Sequence, residues 1–204
     1  ANTQAAGDHH AWFAFRDNVS RRRDIEREYL AAILAAKQDI LIANAYFFPG
    51  WRFIRELRRA ARRGVDVRLI LQGEPDMMVA QLAASMLYAQ LLRAGVRLHE
   101  YCKRPFHGKV ATVDDEWSTV GSSNLDPLSL ALNLEANVIV RDPVFAVQLR
   151  ERLDELEQRL DESHELDEQR IATVLGEETA RIVTAARDAA AEIRVLGLED
   201  DAHG

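Results

Sequence analysis

The segment that decides the fold is residues 39–71, DILIANAYFFPGWRFIRELRRAARRGVDVRLIL. Its apolar start, Asp39–Ala45, predicts a buried strand, which Pro49 and Gly50 terminate. Trp51–Arg63 is predicted to be a helix, and the β-branched run Val65–Leu71 a second strand. Strands and helices that alternate over short connections indicate an α/β layered domain with a largely parallel sheet.

The flanking sequence continues this alternation. Helices are predicted at 21–38, 77–93 and 143–160, and strands at 96–101, 107–113, 116–120 and 135–140. Asp114 and Asp115 predict a tight turn between the strands on either side of them. The sequence therefore predicts an α/β fold, a sheet flanked by helices, that is complete by about residue 160.

Charge separates the chain into two parts. Residues 1–150 contain 20 Lys and Arg against 17 Asp and Glu, a balance of +3, whereas residues 151–204 contain 6 against 16, a balance of −10. From Ile171 to Ile193, apolar side chains recur at helical spacing. We therefore predict a domain over residues 1–157 and an acidic helical tail over 158–204. The tail either packs on the domain, pairs with another chain or is a solvated helix.

Several features of the sequence exclude classes of protein. The apolar stretches are shorter than the roughly 20 residues that cross a bilayer, and the first residues lack a signal-peptide pattern. The single cysteine, Cys102, allows no internal disulfide. Because the first residue is Ala1 rather than Met, we expect the sequence to be a piece of a longer protein.

The residues with the clearest chemistry are His107 and Lys109. Two positions apart on a predicted strand, their side chains emerge on the same face, and Gly108 between them leaves room for a substrate or a partner backbone. An imidazole can attack a phosphodiester while an ammonium neutralises the non-bridging oxygens. The segment Gly121–Asn124 follows the next predicted strand and offers hydroxyl, amide and backbone N–H donors for a phosphate.

The spacing of these residues resembles the signature of the phospholipase D superfamily. His107-x-Lys109, four residues, Asp114, six residues and Gly121-Ser122-x-Asn124 fill its positions. The stretches 42–50, 72–77 and 107–140 are similar to bacterial cardiolipin synthases of that superfamily. The similarity covers about residues 17–155, and it implies the phospholipase D fold.

The resemblance also implies the roles of the side chains. In that superfamily one histidine attacks the phosphorus and forms a phosphohistidine, and a second histidine protonates the leaving alcohol. By resemblance, His107 is a catalytic histidine, Glu135 orients its imidazole, and Lys109, Ser122 and Asn124 hold the phosphate oxygens. Asp114 belongs to the signature and is grouped with the catalytic residues, although its position past the end of a strand favours a structural anchor. No metal or other cofactor is expected.

The sequence has one copy of the motif, since no other histidine is followed two residues later by lysine. Superfamily members with one motif dimerise, whereas cardiolipin synthases carry two motifs in one chain. The resemblance therefore implies a C-terminal half whose partner is an N-terminal half with the first motif, or a second copy of this chain. An isolated monomer is expected to be inactive. The implied substrates are phosphatidylglycerol and a second phospholipid, met on an anionic membrane as a peripheral protein on the cytoplasmic face of the bacterial inner membrane.

Two other functions stay open from the sequence. A nuclease or phosphodiesterase of the same superfamily would use the same His107 and Lys109, although a balance of +3 is low for a nucleic-acid binder, and no nucleic-acid partner is expected. A catalytically silent half-domain would act as an interaction module. The aromatic run 46–48 and the arginine pairs 58–59 and 62–63 either contact lipid or are a strand end and a solvated helix face.

Overall fold

The computed structural model describes residues 10–17, 19–73, 87–102, 106–126, 129–130, 132–163, 173 and 176. The chain divides into two compact units, Ala1–Leu160 and Asp161–Gly204. In the second unit, the described residues 161–163, 173 and 176 are helical, and most of the predicted stripe from Ile171 to Ile193 lies outside the described residues. The domain boundary predicted at residue 157 stays a prediction.

The described strands and helices between residues 10 and 163 follow one another in this order. They are β1 His10–Arg16, α1 Asp24–Ala35, β2 Asp39–Asn44, α2 Trp51–Arg62, β3 Asp66–Gln72, α3 described over 87–92, β4 Arg97–Tyr101, β5 Lys109–Val113, β6 Trp117–Gly121, β7 Glu135–Arg141 and α4 described over 143–163. The predicted helix at 77–93 lies partly outside the described residues. None of the described helices is both long and apolar enough to cross a membrane.

Within the described residues, seven strands form one sheet in the order β1-β7-β6-β5-β2-β3-β4. The pairs β2–β3 and β3–β4 are parallel, and the four others are antiparallel. The α/β sheet flanked by helices is confirmed, but the expectation of a largely parallel sheet is wrong. Helices α2 and α3 lie between the parallel strands β2, β3 and β4, whereas the tight turn at Asp114 and Asp115 makes β5 and β6 a hairpin.

Strand β1 was not predicted. It lies before about residue 17, where the similarity to cardiolipin synthases begins. In β1, Ala14 and Arg16 are buried while Phe13 and Phe15 are exposed. Apolar side chains therefore lie on both faces of the strand, and this hides the two-residue period that indicates a strand in a sequence. Through its pairing with β7, β1 is an outermost strand of the sheet.

Helices cover the two faces of the sheet. On one face, Tyr29 of α1 and Phe53 and Leu57 of α2 pack with sheet residues such as Ile42 and Ala111. On the other face, Leu153 and Leu160 of α4 pack with Leu41, Ala43 and Ile70. Fully burying a side chain of this size stabilises the fold by about 1.5–3 kcal/mol.

A cluster of ion pairs fixes α4 to β3. Arg68 Nη1 lies 2.6 Å from Asp154 Oδ1 and 2.7 Å from Glu157 Oε2. His99 Nε2 of β4 lies 2.8 Å from the other oxygen of Glu157. Burial raises the pKa of the Glu157 carboxyl, but the hydrogen bonds and charges of His99 and Arg68 outweigh this effect. The pKa of Glu157 is therefore lower than its ordinary value.

Candidate active site

The predicted site residues meet along a row of strand ends, where β2 and β6 end and β5 and β7 begin. We call this row of strand ends one edge of the sheet. Three strand pairs place them there, because Asn44 lies opposite Lys109, Gly121 opposite Asn137 and Arg16 opposite Glu135. Since cross-strand partners share a face, these side chains project on the face that α1 and α2 cover.

Lys109 and His107 are in contact at this edge. Strand β5 begins at Lys109, so His107 lies in the preceding loop rather than on the strand. Lys109 Nζ lies 3.3 Å from His107 Nδ1 and 3.2 Å from Nε2. Because an ammonium has three donors and no acceptor, any hydrogen bond in this contact runs from Lys109 to a ring nitrogen of His107.

Lys109 is buried, with only 7% of its surface exposed, and this burial disfavours the charged ammonium. Desolvation lowers the pKa of Lys109 from 10.5, and the nearby carboxylates of Glu135 and Asp126 act in the opposite direction. The two carboxylates therefore help to keep a buried ammonium charged beside the histidine.

Ser122 and Glu135 form the next pair. Ser122 Oγ donates a short hydrogen bond to Glu135 Oε2 and accepts one from the backbone N–H of Ala136 at 3.1 Å. The described hydrogen bond of the Glu135 carboxylate is thus with Ser122, and its predicted role in orienting His107 stays a prediction. An open groove of about 500 Å³ adjoins this pair and is also lined by Arg16 and Arg21.

Two buried amides hold the loop 121–125 in place, and sequence reasoning assigned neither of them a role. Asn44 Oδ1 accepts the N–H of Leu125 at 3.2 Å, and Asn137 Oδ1 accepts the N–H of Ser123 at 3.3 Å. Asn137 Nδ2 also donates to Thr119 Oγ1 at 3.2 Å. Both amides are fully buried, so they fix the backbone that carries Ser122 and Asn124.

The two glycines of the motif have different surroundings. A Cβ at Gly121 would lie 2.2 Å from Asn137 Oδ1 and 2.6 Å from Ala136 O, so only glycine fits between β6 and β7 there. A Cβ at Gly108 would lie 2.3 Å from Phe106 Cζ. The expectation that Gly108 leaves room for a substrate or partner backbone is therefore wrong, because the ring of Phe106 fills that space.

Comparison with known proteins agrees with this geometry. A family model described as "Cardiolipin synthase, PLD-like domain" matches residues 29–157. The chain belongs to this family.

Curated relatives of the cardiolipin synthase family are longer than this chain. Cardiolipin synthase B of Salmonella typhi is 56% identical over 147 residues, which are 72% of this chain and 36% of that protein. Cardiolipin synthase A of Pseudomonas entomophila is 39% identical over 125 residues, 61% of this chain and 26% of that protein. The chain spans about a third of the length of the cardiolipin synthase B proteins that it matches.

Solved structures show the same fold. The phospholipase D family member Nuc from Salmonella typhimurium matches with a TM-score of 0.60 and 24% identity, over 72% of this chain and 93% of that chain. Phosphatidylserine synthase from Haemophilus influenzae matches with a TM-score of 0.55 and 18% identity, over 70% of this chain and 38% of that chain. The phospholipase-D-like α/β fold is therefore confirmed.

Asn124 and Asp114 complete the family signature. Asn124 is partly buried, and its Oδ1 is inaccessible to solvent and has no hydrogen-bond partner among the described residues. Asp114 lies at the other end of β5, roughly 16 Å from Lys109 at about 3.3 Å per strand residue. Its carboxylate accepts the N–H groups of Lys37, Gln38 and Asp39 at 3.1, 2.9 and 3.1 Å. These contacts agree with the structural anchor expected for Asp114.

Proposed function

We propose that this chain is one half-site of a phosphatidyl-transfer enzyme that makes cardiolipin from phosphatidylglycerol and a second phospholipid. The observation that carries the proposal is the contact of Lys109 Nζ with both ring nitrogens of His107, in a chain of the cardiolipin synthase family. Ser122 and Asn124 follow the end of β6, and Glu135 begins β7, at the same edge.

The proposed reaction has two displacements. In the first, a ring nitrogen of His107 attacks the phosphorus of phosphatidylglycerol, the bond from phosphorus to the glycerol oxygen breaks, and a second histidine gives that oxygen a proton. In the second, the acceptor hydroxyl loses its proton to the second histidine and attacks the phosphorus, and the bond to His107 breaks. Lys109 neutralises the non-bridging oxygens in both steps, with Ser122 and Asn124 as further polar contacts.

The second histidine has to come from another polypeptide segment. One imidazole cannot be both nucleophile and proton donor on opposite sides of the phosphorus in a single displacement. The sequence has one His-x-Lys motif, and its match covers only 36% of the length of cardiolipin synthase B from Salmonella typhi. An N-terminal half with the first motif, or a second copy of this chain, would supply it. We place the enzyme on the cytoplasmic face of the bacterial inner membrane, as a peripheral protein.

The test is the yield of cardiolipin from phosphatidylglycerol by the full-length enzyme that contains this chain. His107→Ala is expected to abolish the yield, and Lys109→Ala to lower the rate by about 10²–10³, as for loss of one well-placed oxyanion donor. His10→Ala is the control, since His10 begins β1 at the opposite edge of the sheet and should leave the rate unchanged. A normal yield from His107→Ala would end the proposal.

A further inference from the structure

Three exposed aromatic side chains follow β2. Tyr46 is 42% exposed, Phe48 44% and Trp51, the first residue of α2, 61%. Phe47 between them is buried in the main core, which holds the segment in place while its neighbours face solvent. We call residues 46–51 the aromatic loop. Of the two alternatives given for residues 46–48, Phe47 fits the buried strand end, whereas Tyr46 and Phe48 are exposed and can contact lipid.

The aromatic loop and Ala45, the residue before it, are hydrogen-bonded to both parts of the candidate active site. The N–H of Ala45 donates to the carbonyl of Gly108 at 2.9 Å, between His107 and Lys109. The N–H of Phe48 donates to the carbonyl of Leu125 at 2.7 Å, just after the Ser122–Asn124 loop. A surface that the aromatic loop contacts therefore lies next to the catalytic edge of the sheet.

Helix α2 continues from the aromatic loop with a strongly basic outer face. Residues 51–63 contain six arginines and one glutamate, and the glutamate, Glu56, is buried and pairs with Arg55 and Arg59. Neither Arg52 nor Arg62 forms an ion pair within the part of the chain that the structure describes. Arg58 Cζ lies 6.0 Å from the centre of the Trp51 ring, so the basic face and the aromatic loop are continuous.

We propose that the aromatic loop and the basic face of α2 together form a docking surface for an anionic phospholipid bilayer. Tyrosine and tryptophan favour the interface between headgroups and acyl chains, and arginines near an anionic surface attract it. The chain carries a net charge of −7, so this local positive face, rather than overall charge, supplies the attraction. The inference rests on the proposed function, since docking here sets the His107–Lys109 edge against the lipid that it would process.

The experiment measures binding of the 204-residue chain to vesicles, without turnover. Phosphatidylcholine vesicles that contain phosphatidylglycerol are compared with vesicles of phosphatidylcholine alone, by co-sedimentation. We expect the double variant Arg52→Glu, Arg62→Glu to weaken binding to the anionic vesicles by at least about tenfold, since each arginine contributes about 1 kcal/mol and 1.4 kcal/mol is tenfold.

The matched control is Arg152→Glu, Arg159→Glu. Both arginines are exposed on α4, which covers the opposite face of the sheet, and the change in total charge is the same. This control should bind like the unaltered chain. Equal losses in the two double variants, or no loss in either, would overturn the proposal.

A second readout follows Trp51 itself. Trp117 is buried and Trp12 is partly buried, so insertion should shift the fluorescence of Trp51 to shorter wavelength on anionic vesicles, and Trp51→Ala should remove this shift. Absence of vesicle binding by the unaltered chain would overturn the docking surface. Binding of single-stranded DNA through Arg52 and Arg62 without vesicle binding would also overturn it, in favour of a nucleic-acid surface. A normal cardiolipin yield from His107→Ala would contradict the proposed chemistry only. Vesicle binding needs no turnover, so it would still test the docking surface.

Discussion

Among single residues, Lys109 is subject to opposing effects on its charge. Burial favours its neutral form, while the carboxylates of Glu135 and Asp126 favour the ammonium. The proposed chemistry needs the ammonium, because only the charged form can both donate to His107 and neutralise a phosphate. The rate should therefore fall as pH rises through the pKa of Lys109, which is lower than 10.5.

Glu135→Gln tests this balance in the full-length enzyme. The substitution removes a carboxylate that raises the pKa of Lys109, so the alkaline limb of the pH–rate profile should move to lower pH. The acceptor for Ser122 Oγ is retained by the amide oxygen, so the fold should survive. Glu116→Gln, an exposed site in the turn at the other end of β5, is the control and should leave the limb in place. An unmoved limb in Glu135→Gln would remove Glu135 from the site.

Gly121 is a second residue whose replacement has a clear expected effect. A Cβ there would overlap Asn137 and the backbone of Ala136, so Gly121→Ala should destabilise the chain by about 1–3 kcal/mol, the usual cost of overpacking. Gly50→Ala is the matched control, because a Cβ at Gly50 meets nothing within 4 Å, and it should cost less than about 1 kcal/mol. Urea unfolding of both variants measures the difference. Equal free energies of unfolding for the two would contradict the packing described for β6 and β7.

Among the secondary structure elements, β5 carries motif residues at both ends, with different tasks. Lys109 begins the strand at the catalytic edge, and Asp114 follows it at the opposite edge with a φ of 49°. The Asp114 carboxylate binds three consecutive backbone N–H groups between α1 and β2. The signature thus combines a chemical group and a structural one on a single strand.

Asp114→Ala should lower the free energy of unfolding by about 1–3 kcal/mol, because three backbone N–H groups, one of them partly buried, lose their acceptor. Asp114→Asn keeps one acceptor oxygen and tolerates a positive φ, so it should cost less. Denaturant unfolding of the two variants checks the order. Unchanged stability in Asp114→Ala together with lost turnover of the full-length enzyme would make Asp114 a catalytic group instead of an anchor.

Local patterns predicted the elements that have one clear period. Strands β2 and β3 and helix α2 lie within one or two residues of their predicted bounds, because each combines an apolar pattern with a glycine or proline at its end. Strand β1 was missed since both of its faces carry apolar side chains, and the antiparallel pairing of β5 with β2 has no local signal. Such pairings depend on contacts between residues far apart in the sequence.

The site divides in the same way. The spacing of the motif indicated His107, Lys109, Ser122 and Asn124, and the structure brings these residues to one edge. The supporting amides Asn44 and Asn137 were missed because their partners are up to 81 positions away and a lone asparagine has no distinguishing pattern. That Phe106 fills the space over Gly108 is likewise a tertiary contact.

In the molecule as a whole, the unit that carries the proposed half-site is followed in sequence by a second unit. The chain spans 36% of the length of cardiolipin synthase B from Salmonella typhi, and it holds one motif. The first unit ends at Leu160, a residue of α4 that packs with Leu41 and Ile70 of the sheet. The predicted boundary at residue 157 lies near this point. The proposed second histidine therefore has to be sought in another chain or segment.

The measurement that tests the half-site most directly is turnover of phosphatidylglycerol by the 204-residue chain, recorded together with its molecular mass in solution. We predict that a monomer releases no glycerol from phosphatidylglycerol, since it lacks a proton donor for the leaving oxygen, and that activity is found only in a dimer or after addition of an N-terminal half with the first motif. Robust turnover by a strict monomer would contradict the two-histidine mechanism and the half-site proposed for His107.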